Sequence, residues 1–142
     1  MRYLGVDYGT RKIGLATADS ELKVAIPLSP IFYNTLDQAI NLIGEIANQE
    51  GVGKIIIGLP LSFTSQETNI SGEIRNFAEI LKTSIDVPID FENEILSTQE
   101  AVSHQESLLG KIKTRSSKFK IDPKNLDSQA AAIILESYLN RK

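Results

Sequence analysis

The sequence predicts an α/β domain in which helices pack against a mixed β-sheet. Two observations carry this. Three strand-like segments follow one another at the amino terminus: Tyr3 to Val6, Ile13 to Ala16 and Lys23 to Tyr33. Strand and helix patterns then alternate, and consecutive parallel strands need a crossover helix lying on the sheet. A length of 142 residues, with 42% hydrophobic and 23% charged content, fits one domain with a substantial core. Residues 1–142 therefore read as a single unit in the order β-β-β-α-β-α-β-α-α.

The first two strands form a hairpin within Leu4 to Asp19, LGVDYGTRKIGLATAD, with Gly9 and Thr10 in the turn. Glycine is expected there for its tolerance of positive φ. Pro27 and Pro30 mark the third strand as an edge or a bulge. Thr35 and Gln38 have capping-box spacing, and Leu36, Ala39, Ile40, Ile43, Ile46 and Ala47 form one apolar stripe before the stop signal Gly51. Lys54 to Leu59, KIIIGL, is an unbroken apolar run that suits a central strand ended by Pro60.

A loop over Ser62 to Asn69 leads to a second amphipathic helix on Ile70, Ile74, Phe77, Ala78 and Leu81. Val87 to Phe91 is the fifth strand. Ser97-Thr-Gln-Glu100 is a second capping box, opening a helix to Leu109. The last helix begins between Asp122 and Asp127 and runs to Leu139, apolar throughout from Ala130 to Leu135.

Composition narrows the chemistry. The absence of cysteine excludes disulfides, thiolate nucleophiles and Cys-based zinc sites, and a single histidine, His104, excludes a His-rich metal site. Without a signal peptide or long apolar run, a cytoplasmic protein away from membranes is expected. Net charge is −3, but Lys111 to Lys124 carries +5 and leaves −8 on the rest. An acidic body with one basic segment is compatible with a metal site facing a phosphate backbone, and equally with a solvated loop.

Asp7 stands inside an apolar strand, where an unpaired carboxylate is costly. Asp90, Glu92 and Glu94 alternate at period two on and beyond the fifth strand, so they share a face. Asp90 and Glu92 read most simply as solvent-facing. Asp127 opens the last helix, where an acid also suits the positive end of the helix dipole. Acids from three separate elements, each near a strand end or helix start, could converge into an oxygen-rich site of the kind that suits Mg²⁺ or Mn²⁺. Spacing alone does not assemble that cluster.

Four blocks, in order and covering nearly the whole chain, resemble the YqgF family, the pre-16S ribosomal RNA nucleases also called Holliday-junction-resolvase-like proteins. They are LGVDYGTRKIGLATAD, IIIGLPLS from Ile55, ENEILSTQEA from Glu92 and LDSQAAAIILESYL from Leu126. The resemblance implies a ribonuclease H-like fold and a cytoplasmic, metal-dependent nuclease processing the 5′ end of precursor 16S RNA. It also implies Asp7, Glu94 and Asp127 as catalytic, metal-binding acids for Mg²⁺ or Mn²⁺, with Asp7 bridging two ions. Two positions depart from the family. Asn93-Glu94-Ile95 stands for its usual Asp-Glu-Arg, and the loop after Pro60 has no glycine.

The leading expectation is hydrolysis of an RNA phosphodiester, with Arg11, Lys12, Lys111, Lys113, Arg115 and Lys118 tracking the backbone and Phe119 stacking on a base or anchoring its loop. Cleavage of branched DNA by a Holliday-junction-resolvase-like enzyme is the closest alternative, and a non-catalytic ribosome-assembly module is the other. VDYGT also resembles the first phosphate loop of the actin and sugar-kinase superfamily, whose second lobe this length does not accommodate. Either a monomer or a homodimer fits.

Overall fold

The computed structural model describes residues 1–61, 69–95 and 126–141, apart from the side chains of Ile95, Leu126 and Asp127. The expected helix over 97–109 and the basic segment 111–124 lie outside these residues. In chain order the elements are β1 (Arg2–Asp7), β2 (Lys12–Asp19), β3 (Ala25–Phe32), α1 (Leu36–Gln49), β4 (Val52–Leu61), α2 (Asn69–Ser84), β5 (Ile89–Ile95) and α3 (Leu126–Arg141).

The strands form one sheet in the order β3-β2-β1-β4-β5. β1–β2 and β2–β3 pair antiparallel, whereas β1–β4 and β4–β5 pair parallel. The mixed sheet follows from the connections. Short turns can only reverse direction, and α1 and α2 provide the two crossovers.

Strand alternation sorts the side chains into two layers. Leu4, Val6, Ile13, Leu15, Ile55 and Ile57 face α1 and α2, where Ile40, Ile43, Phe77 and Leu81 are buried. Ala16, Ala18, Ala25 and Ile56 face α3, against Ala131, Ile134, Leu135 and Tyr138. The unbroken Ile55–Ile57 run is thus buried on both faces, as its composition predicts.

On the α3 side the sheet is made of small residues, and the helix lies close. A methyl group at Gly5 would sit 2.8 Å from the Ala131 carbonyl oxygen, and one at Gly58 would sit 2.5 Å from Ile134 Cδ1. Both glycines are there for proximity.

Local details correct several expectations. Thr35 caps α1 by accepting from Gln38 N at 3.2 Å, but the Gln38 side chain reaches back to Asn34 N at 2.8 Å. Gly51, just past α1, has a φ of +64°, as a helix stop requires. Gly9 is absent from the positive-φ positions among the described residues. Its Cβ would lie 2.4 Å from the Lys12 carbonyl oxygen, so the turn needs glycine for space.

Pro60 does not end β4, which continues to Leu61 and keeps its register with β5, Pro60 opposite Glu94. The β1 pairing reaches only Val6–Ile57, so beyond it β4 has no strand partner on that side among the described residues, and the missing N–H is tolerated. The Pro60 carbonyl accepts a hydrogen bond from Ser71 Oγ at 2.5 Å. In β3, the register shifts between its pairings with Ile13 and Leu15, close to Pro30.

Candidate functional site

Tyr3, Gly5 and Asp7 share one face of β1, because Leu4 and Val6 point into the α1–α2 layer. Gly5 lies under Ala131 and Leu135, and the Tyr3 and Tyr138 rings are 6.1 Å apart. Asp7 is therefore on the α3 face, at the carboxyl end of β1. It is half-buried, opposite Gly14 of β2. Strand ends of this kind are where ligands gather in α/β sheets.

Asp90, Glu92 and Glu94 also face α3, and their environments separate their roles. Asp90 accepts from Tyr138 Oη at 2.7 Å, and Tyr138 Oη in turn accepts from Lys54 Nζ at 2.8 Å. Glu92 is 5% exposed, accepts from Ser137 Oγ at 2.8 Å and is ion-paired with Arg141. The expectation that these two acids face solvent is corrected for Glu92, which is buried; the Asp90 side chain stays 47% exposed, and both tie β5 to the last turns of α3. Glu92 is shielded because the helix lies over it, and a charge taken from water needs such partners. The hydrogen bond with the Tyr138 hydroxyl holds the Lys54 ammonium above the usual lysine range, aided by the nearby Asp90 carboxylate.

Glu94 is two residues beyond this cluster. Its Oε1 lies 3.1 Å from where a Gly58 Cβ would be, which places the carboxylate over Gly58 on the α3 face. Val6 pairs with Ile57, so Asp7 stands one residue further, level with Gly58 on the adjacent strand, about 4.8 Å away. Asp7 and Glu94 thus lie on one face of the sheet to either side of Gly58, whose missing Cβ leaves room for Ile134 and the Glu94 carboxylate.

The third predicted acid is placed by its backbone. Asp127 is the second residue of α3. Its neighbour Ser128 is buried, and Ser128 Oγ accepts from Leu15 N at 3.3 Å, beside the register shift in β2–β3. Leu15 pairs with Val6, so the amino end of α3 is seated one residue from the Asp7–Gly14 pair. The positive end of a helix dipole therefore faces the carboxyl end of β1.

Among the described residues no three His, Cys, Asp or Glu side chains form a cation cluster; the Asp127 carboxylate is outside them. The described donors still suit one. Asp7 and Glu94 offer carboxylate oxygens on one face, the donor type that hard divalent cations take.

The turn carrying Arg11 and Lys12 is held by Tyr33. Tyr33 N donates to the Arg11 carbonyl at 3.1 Å, and its hydroxyl donates to the Gly9 carbonyl. Burial, reinforced by the Tyr8 hydroxyl, pushes the Tyr33 phenol far above the usual tyrosine range. The Tyr8 ring lies 4.9 Å from that of Phe77 of α2, tilted by 43°. Arg11 is exposed, and Lys12 Nζ lies 5.3 Å from the centroid of the Phe32 ring. Sequence reasoning singled out neither tyrosine, because a tyrosine at a strand end gives no local sign of what it will anchor. Lys111, Lys113, Arg115, Lys118 and Phe119 lie outside the described residues.

A family model described as "RuvX: Holliday junction resolvase" matches residues 1–141. The chain belongs to this family. A relative from Maridesulfovibrio salexigens, named "Putative pre-16S rRNA nuclease", is 40% identical over 142 residues, covering 99% of each chain. One of the same name from Anaeromyxobacter sp. (strain Fw109-5) is 34% identical over 140 residues, covering 99% of this chain and 97% of its own. Among solved structures, T. thermophilus RuvC in complex with a Holliday junction substrate aligns with a TM-score of 0.59 at 14% identity, covering 99% of this chain and 96% of RuvC. The fowlpox virus Holliday junction resolvase aligns with a TM-score of 0.61 at 13% identity, covering 99% of both chains. At such identities the likeness is one of fold, the ribonuclease H-like fold expected from the sequence. Among the described residues no helix is long and apolar enough to cross a membrane.

Proposed function

We propose that this RuvX-family protein is a metal-dependent nuclease that hydrolyses a phosphodiester of precursor 16S ribosomal RNA, near its 5′ end. The single observation that carries this is that Asp7 and Glu94 lie on the same face of the sheet, to either side of Gly58, at the strand end faced by the amino terminus of α3. The names of its full-length relatives support the substrate.

Asp7, Glu94 and Asp127 would hold Mg²⁺ or Mn²⁺. Bound there, the metal would supply an activated water and stabilise charge on the leaving oxygen. The chain's own residues do the rest. Asp7 and Glu94 present their carboxylates on the α3 face at the carboxyl ends of β1 and β5, where a phosphate would approach the sheet. Arg11 and Lys12, on a turn pinned by Tyr33, attract the backbone on either side and carry no base information. The dipole of α3 favours the phosphate's negative charge at the same place. The basic segment 111–124 extends that attraction, and binding weakens as salt rises.

The test sets precursor 16S RNA beside a four-way DNA junction with Mn²⁺ or Mg²⁺, comparing the natural chain with Asp7→Asn. That change keeps the shape of the side chain and removes its charge. RNA cleavage is expected to fall by about a hundredfold or more. Cleavage by Asp7→Asn at the natural rate refutes the site. Exclusive cutting of the junction moves the substrate to branched DNA, and binding with no cleavage under any condition makes the protein a binding module.

A further inference from the structure

Phe32 closes β3 on the outer edge of the sheet and is 67% exposed, whereas Tyr33 beside it is buried. Its register partner is Lys12 of β2. Ile13 and Ile31, one position along, are buried in the α1–α2 layer, so Lys12 and Phe32 lie on the opposite face, the face that carries Asp7. They also lie at the same end of the sheet. Lys12 is two residues beyond Gly14, the partner of Asp7. By strand spacing, Phe32 stands on the order of 12 Å from Asp7, two strands across and two residues along.

An exposed ring at a strand edge contributes little to folding, since most of its surface stays in water. Here it lies beside a cation, with Lys12 Nζ 5.3 Å from its centroid. A flat apolar face next to a positive charge is complementary to one ligand unit: a planar base joined to a phosphate. A base inside a duplex has both faces occupied by its neighbours and cannot use the ring. An unpaired base can.

We propose that Phe32 is a stacking platform for an unpaired nucleotide flanking the phosphodiester that is cut, with Lys12 on the adjoining phosphate. This rests on the nuclease reading above and adds to it a substrate class: a single-stranded stretch lying across β1, β2 and β3. Phe32 selects for strandedness and is tolerant of sequence, since every base has a π face.

The chain contains no tryptophan, so Phe32→Trp introduces a single reporter ring. In metal-free buffer the full-length variant is titrated with a single-stranded RNA oligonucleotide, and separately with the same sequence as a blunt duplex. Quenching by the single strand and not by the duplex is expected. Equal response to both, or to neither, overturns the proposal. So does a fluorescence change on raising protein concentration alone, which would make the ring a contact between copies.

With metal present, Phe32→Ala should lower kcat/KM on single-stranded RNA by about fivefold to a hundredfold, with Phe32→Tyr restoring it and Phe32→Leu failing to. The salt slope should stay the same in Phe32→Ala and fall by about one in Lys12→Ala. A restored rate in Phe32→Leu would mean that apolar bulk suffices and would refute stacking. The metal-free readout separates the two readings. Quenching without cleavage keeps the platform and removes the nuclease, whereas Asp7-dependent cleavage without quenching does the reverse.

Discussion

Replacing Gly5 by alanine tests how the small-residue face of the sheet positions α3. The added Cβ would stand 2.8 Å from the Ala131 carbonyl oxygen and 3.1 Å from Leu135 Cβ. Ordinary contact begins near 3.4 Å, so helix and strand must separate by about 0.6 Å. The obstructing atom is helix backbone, which cannot rotate away as a side-chain tip can. Overpacking of this kind costs about 1–3 kcal/mol. Alanine regains about 0.5–1 kcal/mol through its smaller loss of backbone freedom on folding. The net expectation is a loss of about 1–2 kcal/mol, or roughly 3–7 °C in Tm for a chain of this size.

The displacement also has a local consequence. Ser128 at the start of α3 accepts from Leu15 N, so lifting the helix stretches that contact. Thermal and urea unfolding followed by circular dichroism measure the first effect. Hydrogen exchange at the Leu15 amide measures the second, with faster exchange expected in Gly5→Ala. Unchanged or increased stability, together with an unchanged Leu15 amide, would refute the claim that close approach of α3 to β1 is what requires glycine.

Two further substitutions probe other parts of the molecule. Gly72 lies in α2 with nothing within 4 Å of an added Cβ, so Gly72→Ala should stabilise by about 0.5–1 kcal/mol, measured by urea unfolding. The buried Tyr33 phenol has a folded-state pKa above its unfolded value near 10. Its contribution is therefore complete below about pH 10 and lost as pH rises further, because only the unfolded chain releases the proton. Stability measured from pH 8 to 11.5 should decline at the alkaline end, and Tyr33→Phe should flatten that decline while costing about 1 kcal/mol at neutral pH for the lost bond to Gly9.

Much of this architecture is legible locally. An acid set among apolar strand residues marked Asp7, and period-two spacing correctly put Asp90, Glu92 and Glu94 on one face. The same spacing was silent about what covers that face. Glu92 looks solvent-facing until Arg141 and Ser137, more than forty residues away in sequence, are laid over it. Pro60 looks like a strand end because local chemistry cannot know that β1 has already stopped beside it. Phe32 and Tyr33 are adjacent aromatics with opposite fates, one in water and one holding the turn that carries Arg11 and Lys12.

By itself the sequence determined the described elements, their alternating faces and the strand carrying the first acid, since steric periodicity and turn chemistry act over a few residues. Tertiary structure alone decided which carboxylates tie β5 to α3 and which stand at the open end of the sheet. Pairing and burial depend on neighbours supplied by distant parts of the chain, and those neighbours exist only once the helix has settled on the sheet.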